Sequence, residues 1–365
     1  MSAERLARLR GLLAGGQACG GRTLEALLIT RPENRFYLTG FTGSSGYVFV
    51  TAGTALLLTD FRYVEQAAEQ APGFEIVRHG SPWYATLGER AAASGIRELG
   101  FEKDHLNVSD FEKVSGAVGG VSLVGVNGVI EELRVLKDPG EVQAVRAAAA
   151  CSDRAFAQLL ESGVLRPGVQ ERVVAAELEH YMRLAGATKP AFDTIVASGP
   201  RSSLPHGRAS ERILQAGDFV TLDFGAVVDG YCSDITRTVV LGKAGDEQRK
   251  LYELVLRAQL AGVEAVRAGK TGREVDAVSR GIIAEAGHAD HFGHGLGHGV
   301  GIAVHEAPRL SPVGDAVLGQ GMITSVEPGV YVPGWGGVRI EDLVYVAAGG
   351  SENLTASPKD LLELS

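Results

Sequence analysis

The segment TLDFGAVVDGYCSDITRTV carries two aspartates whose spacing points to a shared site. Two strand-like runs flank Asp229-Gly230, a strong two-residue hairpin signal. That turn pairs position 223 with 236 across the ladder, and side chains alternate faces with a period of two. Asp223 then shares a face with Thr236 and with Asp234, on a sheet otherwise built of Val, Leu and Phe. Two buried, unpaired carboxylates repel each other, and each carries a desolvation cost. A cation between them resolves both problems. Hydrogen bonds within a turn are the alternative; they suit Asp229 well, but not Asp223 in mid-strand.

The second segment is HFGHGLGHGVGIAVHEAP, with glycine at 293, 295, 297, 299 and 301. Glycine at every second residue makes a poor helix, so the run is expected to extend with one bare face and with His294 and His298 on the other. A bare face lets a ligand or another backbone approach closely. His305 falls at odd separation from His298, so a bend must bring it to the same site. No G-x-G-x-x-G register fits and no G-K-[ST] follows, which excludes the common phosphate-binding motifs.

The third segment, MITSVEPGVYVPGWGGVRIEDLVYV, reads as two strands around a glycine-rich turn at Gly334 to Gly337. It places Glu327 near the inner end and Glu341 on the return strand, with Arg339 on the same face as Glu341. An ordinary salt bridge would account for Arg339 and Glu341 taken alone, and a turn role for Glu327. Together the three segments offer four carboxylates and at least one imidazole. This oxygen-rich set suits a pair of hard or borderline divalent ions, Mn²⁺ or Co²⁺ more than thiolate-bound Zn²⁺. Two ions roughly 3.5–4 Å apart polarise a carbonyl and lower the pKa of a shared water, so hydrolysis is the default reaction. Neither G-x-S-x-G nor HExxH occurs, and a serine hydrolase or zincin has no support.

Elements of two kinds must position these residues. At 365 residues the chain is long enough for two domains. In the first 125 or so residues, ALLIT, YVFV, ALLLT, FEIV, RELGF and VSLVGV read as strands, and the segments after Asp60, Trp83 and Val108 as helices. The N-terminal MSAERLARLRGLLAGG reads as a short amphipathic helix rather than a signal peptide. Composition changes near Val126 to Lys137. Helices follow at Asp138 to Leu160, with Asp138-Pro139 as cap and first turn, and at Val169 to Leu184; strands come next. Helices at Asp246 to Ala268 and Gly272 to Ala286 then precede glycine-rich strands. The expected fold is α/β (α+β): a small α/β domain over residues 1–127 and a catalytic domain over 128–365 built of two similar ααβ halves. Six of the nine histidines lie between His206 and His305, which assigns the chemistry to the second domain.

Composition removes other functions. The net charge is −9 and no basic stripe is present, so nucleic acid is not an expected partner. No run of about 18 apolar residues would span a membrane. Cys19, Cys151 and Cys232 lie far apart and form no CxxC motif, which fits a reducing, cytoplasmic compartment.

On the segments KPAFDTIVASGPRSSLPHG, LDFGAVVDGYCSDITRT, GHGLGHGVGIAVHEAP and VEPGVYVPGWGGVRIEDLV, the second domain resembles the pita-bread metallopeptidases, in their Xaa-Pro aminopeptidase and prolidase branch. FYLTGFTGSSGYVFVT and LLLTDFRYVEQA are a looser match to the N-terminal domain of aminopeptidases P, in their short bacterial form. The resemblance implies a dinuclear centre with five protein ligands: Asp223 chelating one ion, Asp234 and Glu341 bridging, His298 and Glu327 on the other. It implies that His206, His294 and His305 contact substrate or stabilise the intermediate, that Arg339 braces the bridging carboxylates, and that Glu327 is general base and proton shuttle. The implied activity is removal of an N-terminal residue before proline from short peptides, with two divalent ions (Mn²⁺, with Co²⁺ or Zn²⁺ as alternatives) in a homodimer. A prolidase restricted to Xaa-Pro dipeptides is the alternative, and a non-catalytic or metal-free member of the fold a remote one. A strict dipeptidase needs a cation for the carboxylate after proline; Arg201 and Arg208, flanking His206, are the nearest in the chain and read as exposed loop charges.

Overall fold

The six apolar runs of the N-terminal region pair into one mixed sheet. In spatial order its strands are Glu75–Arg78, Ala55–Thr59, Tyr47–Thr51, Ala26–Ile29, Glu98–Glu102 and Ser122–Val126. Leu28, Phe49, Leu58 and Leu99 from these strands pack with Leu87, Ala91 and Val114 of the helices Trp83–Ser94 and Val108–Ala117. A helix at Pro32–Thr39 was not among the expected elements. Its signals are local: Pro32 stands in the first turn and Gly40 closes the end at φ 76.

The computed structural model describes residues 2–16 and 19–365. It divides into two units, Met1–Arg134 and Val135–Ser365. The break thus falls later than residue 127. The helix Val129–Val135 buries Val129, Ile130 and Leu133, and Tyr37 and Asn34 of the first unit hydrogen-bond Leu133 and Arg134.

The second unit repeats the order helix, helix, strands. Helix Pro139–Glu161 begins in a capping box, in which Asp138 accepts from the Glu141 amide and Glu141 from that of Asp138. It packs with Glu171–Leu184 over the sheet of Ile195–Ser198, Phe219–Phe224, Ile235–Leu241 and Glu363–Leu364. Helices Asp246–Ala265 and Gly272–Glu285, the latter capped by Thr271 and Glu274, pack over the sheet of Glu306–Leu310, Gly297–Gly299, Ile323–Val326, Asp342–Ala347 and Gly350–Asn353. Each half has its own buried apolar cluster. No helix among the described residues is long and apolar enough to cross a membrane.

Candidate metal centre

The hairpin around Asp229-Gly230 forms as its sequence implies. Val228 pairs with Tyr231, both turn residues have positive φ, and Asp223 sits opposite Thr236. Between the two short ladders, Gly225 passes so close to Ser233 that an added Cβ would lie 2.0 Å from its carbonyl oxygen. This close passage falls where both strands are interrupted, at Gly225 and at Ser233-Asp234, and the buried Asp234 there feels the charge of Glu341 and Asp223.

The glycine run supplies the imidazole. A Cβ on Gly297 would lie 2.1 Å from the Ser325 carbonyl, so the bare face lets the centre strand press against its neighbour. His298 projects the other way. Only Gly297–Gly299 is strand, because the register shifts after His298 and the chain then bends through residues 301–305. That bend returns His305, whose ring centroid lies 4.4 Å from that of His298 in an edge-to-face arrangement.

Glu327 and Glu341 arrive at breaks between strands. Ile323–Val326 pairs with Asp342–Ala347, while Gly329–Val332 pairs with Gly336–Arg339. The chain therefore changes sheets at Glu327 and again at Ile340-Glu341. Gly336 and Gly337 already belong to the return strand, so the turn is tighter and earlier than Gly334 to Gly337.

Ligand atoms of Asp234, His298 and Glu341 all lie within 4.8 Å of one another. His298 Nε2 is 3.7 Å from Asp234 Oδ2 and 3.3 Å from Glu327 Oε1. Thr236 ties the set together: its hydroxyl donates to Glu341 at 2.7 Å and accepts from Arg339 Nε at 3.1 Å. Arg339 reaches on to Asp223 Oδ2 at 2.6 Å. Two carboxylate oxygens, Asp223 Oδ1 and Glu341 Oε1, are buried with no hydrogen-bond partner. Native proteins rarely leave such acceptors unsatisfied. Orphaned oxygens, converging carboxylates and one imidazole are what a pair of divalent cations would satisfy.

The electrostatics agree. Burial first, then the neighbouring carboxylates, push Asp234 and Glu341 well above the usual carboxylate range, and Asp223 is raised too. Burial would also raise Glu327, but the bond and charge of His298 hold it below its ordinary value. A cation in the cage would stabilise all four charges.

The profile of metallopeptidase family M24 matches residues 143–348, and that of the creatinase/prolidase N-terminal domain matches residues 5–136. The chain belongs to metallopeptidase family M24. An uncharacterised peptidase of Bacillus subtilis, YqhT, is 44% identical over 364 residues, covering 100% of each chain. Among solved structures, an Xaa-Pro dipeptidase from Bacillus anthracis superposes with a TM-score of 0.95 at 45% identity, covering 100% of both chains. An X-Pro aminopeptidase from Thermotoga maritima does so at 0.90 and 37%, covering 99% of this chain and 100% of that one.

The remaining residues of interest in this M24 enzyme sit around the cage. His206 is exposed, and its preceding residue Pro205 accepts from Arg339; His305 is lowered below its ordinary pKa by burial first and then by the neighbouring His298. His294 has both ring nitrogens engaged: Nδ1 with the Gly295 carbonyl at 2.8 Å and Nε2 with the Tyr331 hydroxyl at 2.8 Å. Tyr331 also accepts from Arg339 at 2.9 Å, and burial pushes its phenol up to about 12. Strand alternation could have found it, since Tyr331 and Gly329 share the face of Arg339. Arg201 is committed to the fully buried Glu171 and to Ser210, and Arg208 pairs with exposed Asp193. A different cation faces the site. Arg309 stands directly across from His298 in the ladder, is exposed, and has no hydrogen bond or ion pair among the described residues. Its position in HEAPRL carries no signal until the strand pairing is known.

Proposed function

We propose that this M24 enzyme is a dinuclear-metal aminopeptidase that hydrolyses the bond between an N-terminal residue and a following proline in short peptides. The observation that carries this reading is the grouping of Asp234, His298 and Glu341 within 4.8 Å, with Glu327 3.3 Å from His298 and with buried oxygens of Asp223 and Glu341 left without a partner. Asp223, Asp234, His298, Glu327 and Glu341 are the residues that would hold the two divalent ions. Oxygen-dominated ligation favours Mn²⁺, with Co²⁺ or Zn²⁺ able to substitute. When bound, the ions would polarise the scissile carbonyl and make water acidic enough to attack it near neutral pH.

The chain's own groups account for the rest. An Xaa-Pro bond is a tertiary amide with no N–H to grip, so its cleavage depends on proton delivery to the departing nitrogen. Glu327 takes the proton of the attacking water and passes it to the imino nitrogen of proline. His206 and His305, at the exposed rim, donate to the developing oxyanion. Arg339 fixes the carboxylate of Asp223 through a two-atom bracket with Thr236. His294 works through Tyr331. The substrates are short peptides, and the enzyme acts as a cytoplasmic homodimer.

A second reading, a dipeptidase confined to Xaa-Pro, is favoured by one observation: Arg309 is an uncommitted guanidinium on the face of His298. The names of the similar structures divide between the two activities. Product analysis tests both. Ala-Pro incubated with the Mn²⁺-loaded enzyme should give alanine and proline, and Ala-Pro-Ala should give alanine and Pro-Ala; Ala-Pro as a product of the tripeptide, or a tripeptide left uncleaved, would overturn the proposal.

A further inference from the structure

Lys137 is buried to the last atom of its side chain, which is 1% exposed, and a lysine is almost never buried without a purpose. Its Nζ lies 3.3 Å from Glu306 Oε2, also buried, and 3.4 Å from the Val135 carbonyl. The other oxygen of Glu306 accepts the Ala303 amide at 2.8 Å. Glu306 follows His305, and Ala303 lies in the bend that carries it. That bend has no regular structure to hold it. Other contacts to it include the Cys232 amide, which donates to the Gly301 carbonyl at 2.7 Å, the Cys232 thiol on the Ile302 carbonyl, the Gly301 amide on the Ala303 carbonyl, and the ring of His305 against His298. Gly301 leaves no room for adjustment, since a Cβ there would come within 2.7 Å of Glu306 Oε2. Lys137 is itself anchored, its amide donating to Gly321 at 2.8 Å, just before the strand that leads to Glu327.

We infer that the buried Lys137–Glu306 ion pair is a positioning device for the 301–305 bend, setting His305 over the site without taking part in metal binding. The inference rests on the hydrolytic reading of the site. Glu306 acts through the Ala303 amide, and Lys137 acts through Glu306. The arrangement makes a distinctive demand on variants. Lys137→Met removes the ammonium that faces the buried Glu306 carboxylate, and breaking one side of a buried ion pair is strongly destabilising. Adding Glu306→Gln removes the second charge yet keeps an oxygen to accept from Ala303. The double variant should therefore be closer to wild type than the single one, against additivity.

The experiment compares wild type, Lys137→Met and Lys137→Met/Glu306→Gln by amide hydrogen exchange over residues 300–306, by Mn²⁺ stoichiometry, and by kcat and KM on Ala-Pro. Lys137→Met should exchange faster across the bend and lose about 10- to 100-fold in kcat, with KM and Mn²⁺ stoichiometry held. The double variant should regain most of the protection and rate. Unchanged exchange in Lys137→Met, a double variant no better than the single, or loss of Mn²⁺ would each overturn the inference. If Lys137→Met does not fold, Lys137→Met/Glu306→Ala, which removes both charges and the acceptor for the Ala303 amide, decides: fast exchange across the bend supports the clamp, and wild-type protection refutes it. Wild type that cleaves no Xaa-Pro substrate defeats the functional reading instead, and the exchange data still judge the clamp.

Discussion

The phenolic oxygen of Tyr331 stands 2.8 Å from Nε2 of His294, and because Nδ1 of that ring donates to the Gly295 carbonyl, Nε2 of the neutral imidazole accepts the phenol's proton. A chain runs from His294 through Tyr331 and Arg339 to Asp223. Members of one chain lose function together rather than additively. Tyr331→Phe and His294→Ala should each lower kcat, and the double variant should be little worse than either. Measured kcat values that multiply would show independent roles.

Metal loading and pH are linked with a definite sign. In the chelated enzyme Asp234 and Glu341 have pKa values raised well above the carboxylate range, first by burial and then by neighbouring charge. A carboxyl raised in the folded state contributes stability below its unfolded pKa and loses it as pH rises through the folded value. The chelated protein should thus weaken as pH rises above the ordinary carboxylate range, and the gain in Tm on adding Mn²⁺ should be larger at pH 8 than at pH 5. Calorimetric scans with and without metal check this. A gain equal or larger at pH 5, or one kept in Asp234→Asn/Glu341→Gln, would contradict it.

Gly225 is the point where the hairpin must admit its partner. Gly225→Ala would push a methyl group onto the Ser233 carbonyl and Phe192. Overpacking of this kind costs about 1–3 kcal/mol or more. Because the strain falls one residue from Asp234, Mn²⁺ affinity should drop as well as thermal stability. A stable Gly225→Ala that binds metal normally would show that the close passage is not needed.

The pairing of Asp223 with Thr236 was legible because Asp229-Gly230 fixes a hairpin and a hairpin fixes its register. The six N-terminal strands were legible because each is a short apolar run. The helices Pro32–Thr39 and Val129–Val135 were not, being too short for a periodic pattern to stand out. The glycine run was expected to extend through 293–301, but it forms strand only at Gly297–Gly299, where tertiary close approach demands it. Long-range partnerships were out of reach. Arg339 meets Asp223 across 116 positions, and Arg309 meets His298 only after the chain reverses through an irregular bend. Such contacts are set by packing of the two halves, which no local spacing records.

Arg309 decides between the dipeptidase and aminopeptidase readings. If it captures the carboxylate after proline, Arg309→Met should raise KM for Ala-Pro by about 10-fold or more and leave Ala-Pro-Ala unaffected. If the pocket stays open beyond proline, both substrates should respond alike and the tripeptide should be cleaved at least as well. Steady-state kinetics on the two peptides separates these outcomes.

The most direct measurement of the central claim follows Ala-Pro and Ala-Pro-Ala hydrolysis by one preparation, chelated and then returned to Mn²⁺, alongside Asp234→Asn. The account requires negligible release of alanine after chelation, recovery on adding about two equivalents of Mn²⁺ per chain, and no recovery in the folded Asp234→Asn variant. Full activity in the chelated enzyme, or a fully active Asp234→Asn, would contradict it.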